Sequence, residues 1–246
     1  MTTRLAIGAA VAALLAAAVT ATAPTSAVAQ DPVLGAPVVG QCFDLDAEEL
    51  SQPSHPETAI DCSAPHTSRV VGVAIVPDGL GLQGPKVERF ALETCYAAAR
   101  TAIGVRNMRA LNLTAFRIGW FVPTDEQQAA GARWLRCDLV LGGPSDLQPL
   151  PAQLEVGRFP YATGVSRCLA GRDLHDTACS SRHTYRATAA VTVPGKRYPR
   201  AEAWQELGNT RCVPGVITRV FRFGWPTKAS WKAGDHTLTC YSRTRR

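Results

Sequence analysis

No Cys-x-x-Cys pair occurs in these 246 residues, methionine appears only twice, and aromatic residues make up 7%. The first absence argues against a zinc ribbon or a thioredoxin-like redox site, both of which need closely spaced thiols. Aromatics this sparse, spread through the chain, do not call for the row of exposed rings that glycan binders display. Apolar runs are short as well. The longest, Leu5 to Val19, has fifteen residues, where a spanning helix needs about 20. Charged residues are 19% against 46% hydrophobic, a balance that excludes a disordered tail or a multi-span membrane protein and leaves one or two packed domains.

What the chain does have is eight cysteines, an even number that points to disulfides and to an oxidising compartment. The first residues agree with that compartment. Arg4 is a short basic region, Leu5 to Val19 an apolar core, and Ala27-Val28-Ala29 a small-residue cleavage box, so a signal peptide over 1–29 and a mature chain from Gln30 are expected. Gln41 stands before Cys42 and breaks the small-residue rule of a lipoprotein box, which argues against a lipid anchor.

The cysteines reveal a repeat. Adding 117 to a residue number carries Cys62 to Cys179, His66 to His183, Thr67 to Thr184, Arg69 to Arg186, Val76-Pro77 to Val193-Pro194 and Cys95 to Cys212. Phe116-Arg117-Ile118-Gly119-Trp120 returns 105 residues later as Phe221-Arg222-Phe223-Gly224-Trp225. Pro123-Thr124, Gly131, Leu135 and Cys137 return 103 later as Pro226-Thr227, Gly234, Leu238 and Cys240. Upstream, Val39 and Cys42 match Val165 and Cys168. Two copies of one four-cysteine module are therefore expected, at 37–141 and 158–243. Between them, 142–157 reads as a linker, because Gly142-Gly143-Pro144-Ser145 and the prolines at 149 and 151 punctuate a chain.

Period and punctuation give the elements. Ser68 to Pro77 is β-branched and short, a strand. Pro85 to Ile103 places Val87, Phe90, Ala91, Cys95, Ala98 and Ala102 on one helical stripe, with Pro85 suited to a first turn. Trp204, Leu207, Gly208 and Cys212 repeat that stripe. Leu111 to Val122 and Ala132 to Leu141 are strand-like, and Thr124 with Gln127 forms a capping-box signature. Each module thus reads as three strands, a helix, a strand, a helical turn and a last strand. The fold class is α+β, with one helix packed on a small antiparallel or mixed sheet. Eight cysteines allow 105 pairings; confinement to each module with one shared pattern leaves three. An inward-facing Cys95 and a Cys137 near the start of a late strand favour Cys95–Cys137 and Cys42–Cys62, with Cys212–Cys240 and Cys168–Cys179 as the counterparts.

The pattern Gly40-x-Cys42, Cys62-x-x-Pro65-His66, Cys95 in a helix, Trp120 with Pro123, and Gly131-x-Arg133 with Cys137 resembles the septum formation domain of actinobacterial envelope proteins. The second copy departs from it, with Ser166, Arg182 and Asp235-His236 in place of Gly40, Pro65 and Ala132-Arg133. The resemblance implies an extracytoplasmic or membrane-associated protein acting near the division septum, and it supplies no catalytic residues.

Candidate sites are few. Gly79-Leu80-Gly81-Leu82-Gln83-Gly84 spells GxGxxG between a strand and a helix, but no acidic residue follows about 20 positions later for a ribose, and Lys196, Tyr198 and Ala201 replace the glycines in the second copy. It reads as a loop, and no cofactor or metal is expected. His66 and His183 share the Cys-x3-His context and are either ligand contacts or general bases, or residues that cap a turn beside a disulfide. His55, His175 and His236 have no repeat partners and read as solvent-facing. Trp120 and Trp225 end equivalent strands, as core or as stacking platforms.

Charge divides the chain. Gln30 to Leu150 holds nine Lys and Arg against fourteen Asp and Glu, a balance of −5, while Pro151 to Arg246 holds sixteen against six, a balance of +10. The second module, with Arg243, Arg245 and Arg246 at its end, suits an anionic partner. Outside the cell that means wall polymer or lipid headgroups and not nucleic acid. The opposed signs also permit the modules to dock on each other. The expectation is a secreted, non-enzymatic envelope protein linked to septum formation and cell division, its first module taking a protein partner. The alternatives are an exported hydrolase or transferase using His66, and a regulatory partner of a division complex.

Overall fold

Alternating apolar residues in short β-branched runs make strands whose one face must be covered, and here a single helix covers that face in each half of the chain. The computed structural model describes residues 31–143 and 145–244. The expected signal peptide at 1–29, and Arg245 and Arg246, lie outside the described residues.

In the first half β1 (Cys42–Phe43), β2 (Ser68–Ile75), α1 (Pro85–Ala102), α2 (Met108–Asn112), β3 (Phe116–Phe121), α3 (Asp125–Ala129), β4 (Trp134–Gly143) and β5 (Asp146–Gln148) follow in order. In the second come β6 (Arg167–Ala170), β7 (His175–Ala178), β8 (Tyr185–Thr192), α4 (Ala201–Arg211), β9 (Phe221–Gly224), α5 (Lys228–Lys232) and β10 (Thr237–Arg243). The first sheet runs β1-β2-β4-β3, with β5 also on β4, and the second runs β7-β6-β8-β10-β9. All pairings are antiparallel. The architecture is α+β, as expected. No helix among the described residues is long and apolar enough to cross a membrane.

All four expected disulfides are formed: Cys42–Cys62, Cys95–Cys137, Cys168–Cys179 and Cys212–Cys240. Cys95 and Cys212 tie the helix, or its end, to an interior strand of each sheet, β4 and β10. Val87, Ala91, Cys95 and Ala99 are the buried residues of α1, so the stripe runs through Ala99 where Ala102 was expected. Val87, Ala91 and Cys95 pack on Val122, Leu135 and Cys137, while Ala99 joins Ile103, Leu111 and Leu139. Gly72 is needed here, because a Cβ would stand 2.9 Å from that of Ala98. In the second half Gly208 does the same service: a Cβ would lie 2.2 Å from the Phe223 ring. Pro85 opens α1, and Thr124 and Gln127 form the reciprocal capping box of α3.

Several expectations are corrected. The strand read over 111–122 spans only Phe116–Phe121, because Asn107 caps α2 by accepting from the Ala110 amide and draws Leu111 and Asn112 into a helix. Three strands precede the helix only in the second half, where the residues between Cys168 and Cys179 form the β6–β7 hairpin. The longer Cys42–Cys62 interval instead wraps the outer face of the first sheet and makes one bridge, Cys42 to Ile60. Residues 142–157 are no bare spacer: β4 continues through Gly143, and β5 doubles back on it.

His55 is buried, not solvent-facing. It belongs to the wrapping segment and packs edge-on against Phe43 and tilted on Phe121, with ring centroids 5.5 and 5.6 Å away. Beside it the Arg136 guanidinium lies over both phenyl rings and pairs with Asp138 at 2.6 Å. His236 is stacked flat on Trp231 at 3.7 Å and is half-buried; His175 is half-buried beside Asp173.

Burial, then the Arg136 charge, depresses the His55 pKa below its usual 6.5, against the pull of Glu49. A depressed histidine stabilises the fold above its ordinary pKa and loses that contribution as pH falls through the lowered value. His55→Phe is expected to flatten the acid side of the melting-temperature profile as pH falls below 6.5. Replacing Cys95 and Cys137 by Ala, which opens a 42-residue interval, should lower the unfolding free energy in urea by about 4 kcal/mol. Opening the 11-residue Cys168–Cys179 interval should cost about 3 kcal/mol by loop-closure entropy.

Candidate functional site

The two halves are joined along a seam of hydrogen bonds that neither half could satisfy alone. Ala115 donates its amide to Val165, Arg167 donates its own to Leu113, and the Arg167 side chain reaches the Thr114 carbonyl at 2.8 Å. Across the seam Tyr96 donates to Ser230 at 3.0 Å, Asn112 donates to both Asp235 oxygens at 3.1 and 3.2 Å, and Arg117 pairs with Asp176 at 2.9 Å. Gly143 sits so close to β7 that a Cβ would lie 2.3 Å from the Asp176 carbonyl. That one ion pair reverses the overall charge split, with its cation on the acidic half and its anion on the basic half.

The seam does not close everywhere. Between α1 and β3 on one side and the outer face of the second sheet on the other lies a cleft of about 640 Å³, within the size range of small-molecule sites. Thr237, Thr239 and Tyr241 of β10 form its floor together with Arg222 and Gly224, while Leu92, Tyr96 and Met108 line one wall. Trp225 stands at the rim.

The polar groups of the cleft are strongly perturbed. Burial pushes the Tyr241 hydroxyl up to about 12, with Asp176 adding to it and Arg167 opposing. Arg167 loses hydration, but Asp176, Tyr241 and Asp235 outweigh that loss and hold the guanidinium above its usual range. Burial raises the Asp235 carboxyl, against hydrogen bonds from Thr237 and Asn112 and the nearby Arg167.

The residues expected from sequence scatter. His66 and His183 are buried, and each uses Nδ1 on the carbonyl two residues before it, Ala64 and Ser181, both at 2.8 Å. That is the turn-pinning geometry. Cys168, Cys179 and His183 cluster within 4.8 Å, but both sulfurs are joined to each other and offer no thiolate to a metal. Trp120 is half-buried in the helix-facing core. Trp225 is 37% exposed, stacked on Trp204 with centroids 5.9 Å apart. Arg243 is exposed at the end of β10, away from the cleft lining. Of the expected binding residues the cleft brings in only Trp225. Arg117, Arg167, Arg222 and Asp235 were not singled out as a site; the signal for two of them was present, since Arg117 and Arg222 are the same position of the repeated Phe-Arg-x-Gly-Trp motif. Gly79 to Gly84 forms the loop into α1, with Gly84 as its N-cap.

Asp235 gives a pH test. A carboxyl whose pKa rises on folding stabilises most below its ordinary value of 3.8 and loses that contribution as pH rises through the raised value. The melting temperature of Asp235→Asn relative to the unchanged protein should therefore climb as pH rises above 3.8 and level off once pH passes the raised value.

The family model described as septum formation matches residues 110–240, from α2 to the last cysteine and more than half of the chain. No curated protein and no solved structure matches. The disulfides and this match are compatible with an extracytoplasmic protein.

Proposed function

The chain belongs to the septum formation family, and on that premise we propose an exported, non-catalytic envelope protein whose signal peptide is removed near Ala29. Its two halves are copies of one module, and it serves the division septum by holding other components. The basic second half contacts anionic wall polymer or lipid headgroups, and the acidic first half takes a protein partner. The supporting observation is the charge split, −5 against +10, together with the display of Arg211, Arg219 and Arg243 as exposed side chains of the second half.

Two features favour holding over chemistry. The repeated histidines are buried within their own turns, and the cysteines are all joined in disulfides and offer no thiolate nucleophile. A partner role within a division complex follows equally from the acidic half.

Each basic group near an anionic lipid surface is worth on the order of 1 kcal/mol. Mature protein incubated with isolated cell wall, and separately with anionic lipid vesicles, should be retained by one of them at low salt. Retention should fall as salt rises from about 0.01 M to about 1 M, where the screening length shrinks from about 30 to about 3 Å. Reversing Arg211, Arg219 and Arg243 to Glu should abolish retention with no change in melting temperature. Salt-independent retention, or retention by the reversed variant, would refute the proposal.

A further inference from the structure

The first sheet shows what the floor of the cleft would look like if it were covered. Its outer face carries Arg136 and Asp138, the positions that lie 103 before Thr239 and Tyr241, and the segment after β1 seals it with Leu45, Leu50 and His55. At Gly119 a Cβ would stand 2.5 Å from a Leu50 methyl carbon. In the second half the interval between the first two cysteines is 11 residues and not 20, and it is used up by the β6–β7 hairpin. At Gly224, the counterpart of Gly119, a Cβ would meet nothing nearer than the Tyr241 ring at 3.7 Å. The first half leans over this face with Leu113 and Tyr96 but leaves the 640 Å³ cleft open.

The charges in the cleft do not balance. Arg117, Arg167 and Arg222 face two carboxylates, Asp176 and Asp235. Arg117 is matched by Asp176, and Arg167 is held by Thr114, Asn112 and Tyr241. Arg222 has no carboxylate partner among the described residues. Its guanidinium lies over the Tyr185 ring, 5.2 Å from the centroid, and one nitrogen donates to the Phe221 carbonyl at 3.1 Å, which holds the group in place while leaving other donors free. Leu92 and Met108 of the first half line the same cleft, with Trp225 at its rim.

We propose that this cleft is a binding site for a small amphipathic anion, an acidic group such as a phosphate or carboxylate on a flat apolar or ring-bearing body. The acid is received by Arg222, and the body lies against Met108 and Trp225. The site is built from both halves, so it exists only when they are joined, and it stands apart from any polymer contact made by the exposed arginines of the second half.

The test uses calorimetric titration of the mature protein with its four disulfides intact. The probes are 1-naphthyl phosphate, which has charge and body, inorganic phosphate, which has charge alone, and 1-naphthol, which has body alone. Saturable one-to-one binding of naphthyl phosphate is expected, with each of the other two at least tenfold weaker. Arg222→Gln should weaken naphthyl phosphate by at least tenfold, and because Arg222 is exposed this variant leaves the fold intact. Thr239→Trp, which fills the floor, should abolish binding. Arg222 also borders a neighbouring groove lined by Gln205 and Asn209, so Asn209→Trp is the control and should leave binding unchanged. Absence of saturable binding, equal affinity for naphthol, indifference to Arg222→Gln, or loss of binding with Asn209→Trp would each overturn the proposal. Should Thr239→Trp fail to fold, Arg222→Gln decides.

Discussion

A bridge from the buried face of a helix to an interior strand of an antiparallel sheet governs both halves of this molecule. Cys95 reaches Cys137 on β4, and Cys212 at the end of α4 reaches Cys240 on β10. Each of these strands pairs on both sides, Cys137 with Gly72 and Trp120, and Cys240 with Ala189 and Phe223. A covalent tie at that point fixes the helix over the sheet and leaves only the outer face of the sheet to be covered. By loop-closure entropy each such tie adds about 3 to 4 kcal/mol to stability.

The two halves solve the outer-face problem differently, and the difference creates the site. The first sheet is sealed by its own 44–60 segment, which buries an ion pair, Arg136–Asp138, between two phenyl rings and a histidine. Removing one member of such a pair would leave an uncompensated charge in the core. The second sheet lacks that segment and borrows cover from α1 and α2 of the first half. The borrowed cover buries Thr237, Thr239 and Tyr241 of β10 and leaves the β9 edge, with Arg222 and Trp225, exposed. Asn112 and Asp235, Arg117 and Asp176, Tyr96 and Ser230 are the polar clasps that hold it there.

Equivalent positions in the two halves keep their surroundings in some places and lose them in others. His66 and His183 occupy equivalent turns and make equivalent bonds, which is what a shared structural requirement looks like. The repeated arginines, by contrast, sit at equivalent positions in different surroundings. Arg117 is clasped to the other half, while Arg222 stands free of any carboxylate among the described residues.

How much of this was legible beforehand can be followed residue by residue. The cysteine register narrowed the pairing to three shared patterns, and an inward helical Cys95 facing a strand Cys137 favoured the one that forms. Helix α1, the capping box at Thr124 and strand β2 were determined by the sequence itself, since they rest on local period and capping. Tertiary structure alone decided the burial of His55, the ladder through Gly143 and the cleft. Each depends on which distant segment comes to lie against a face, and periodicity within one segment carries no information about its neighbour. The seam that joins Arg117 to Asp176 is of that kind: it forms between residues 59 apart in sequence, and only packing of the two halves brings their charges within bonding distance.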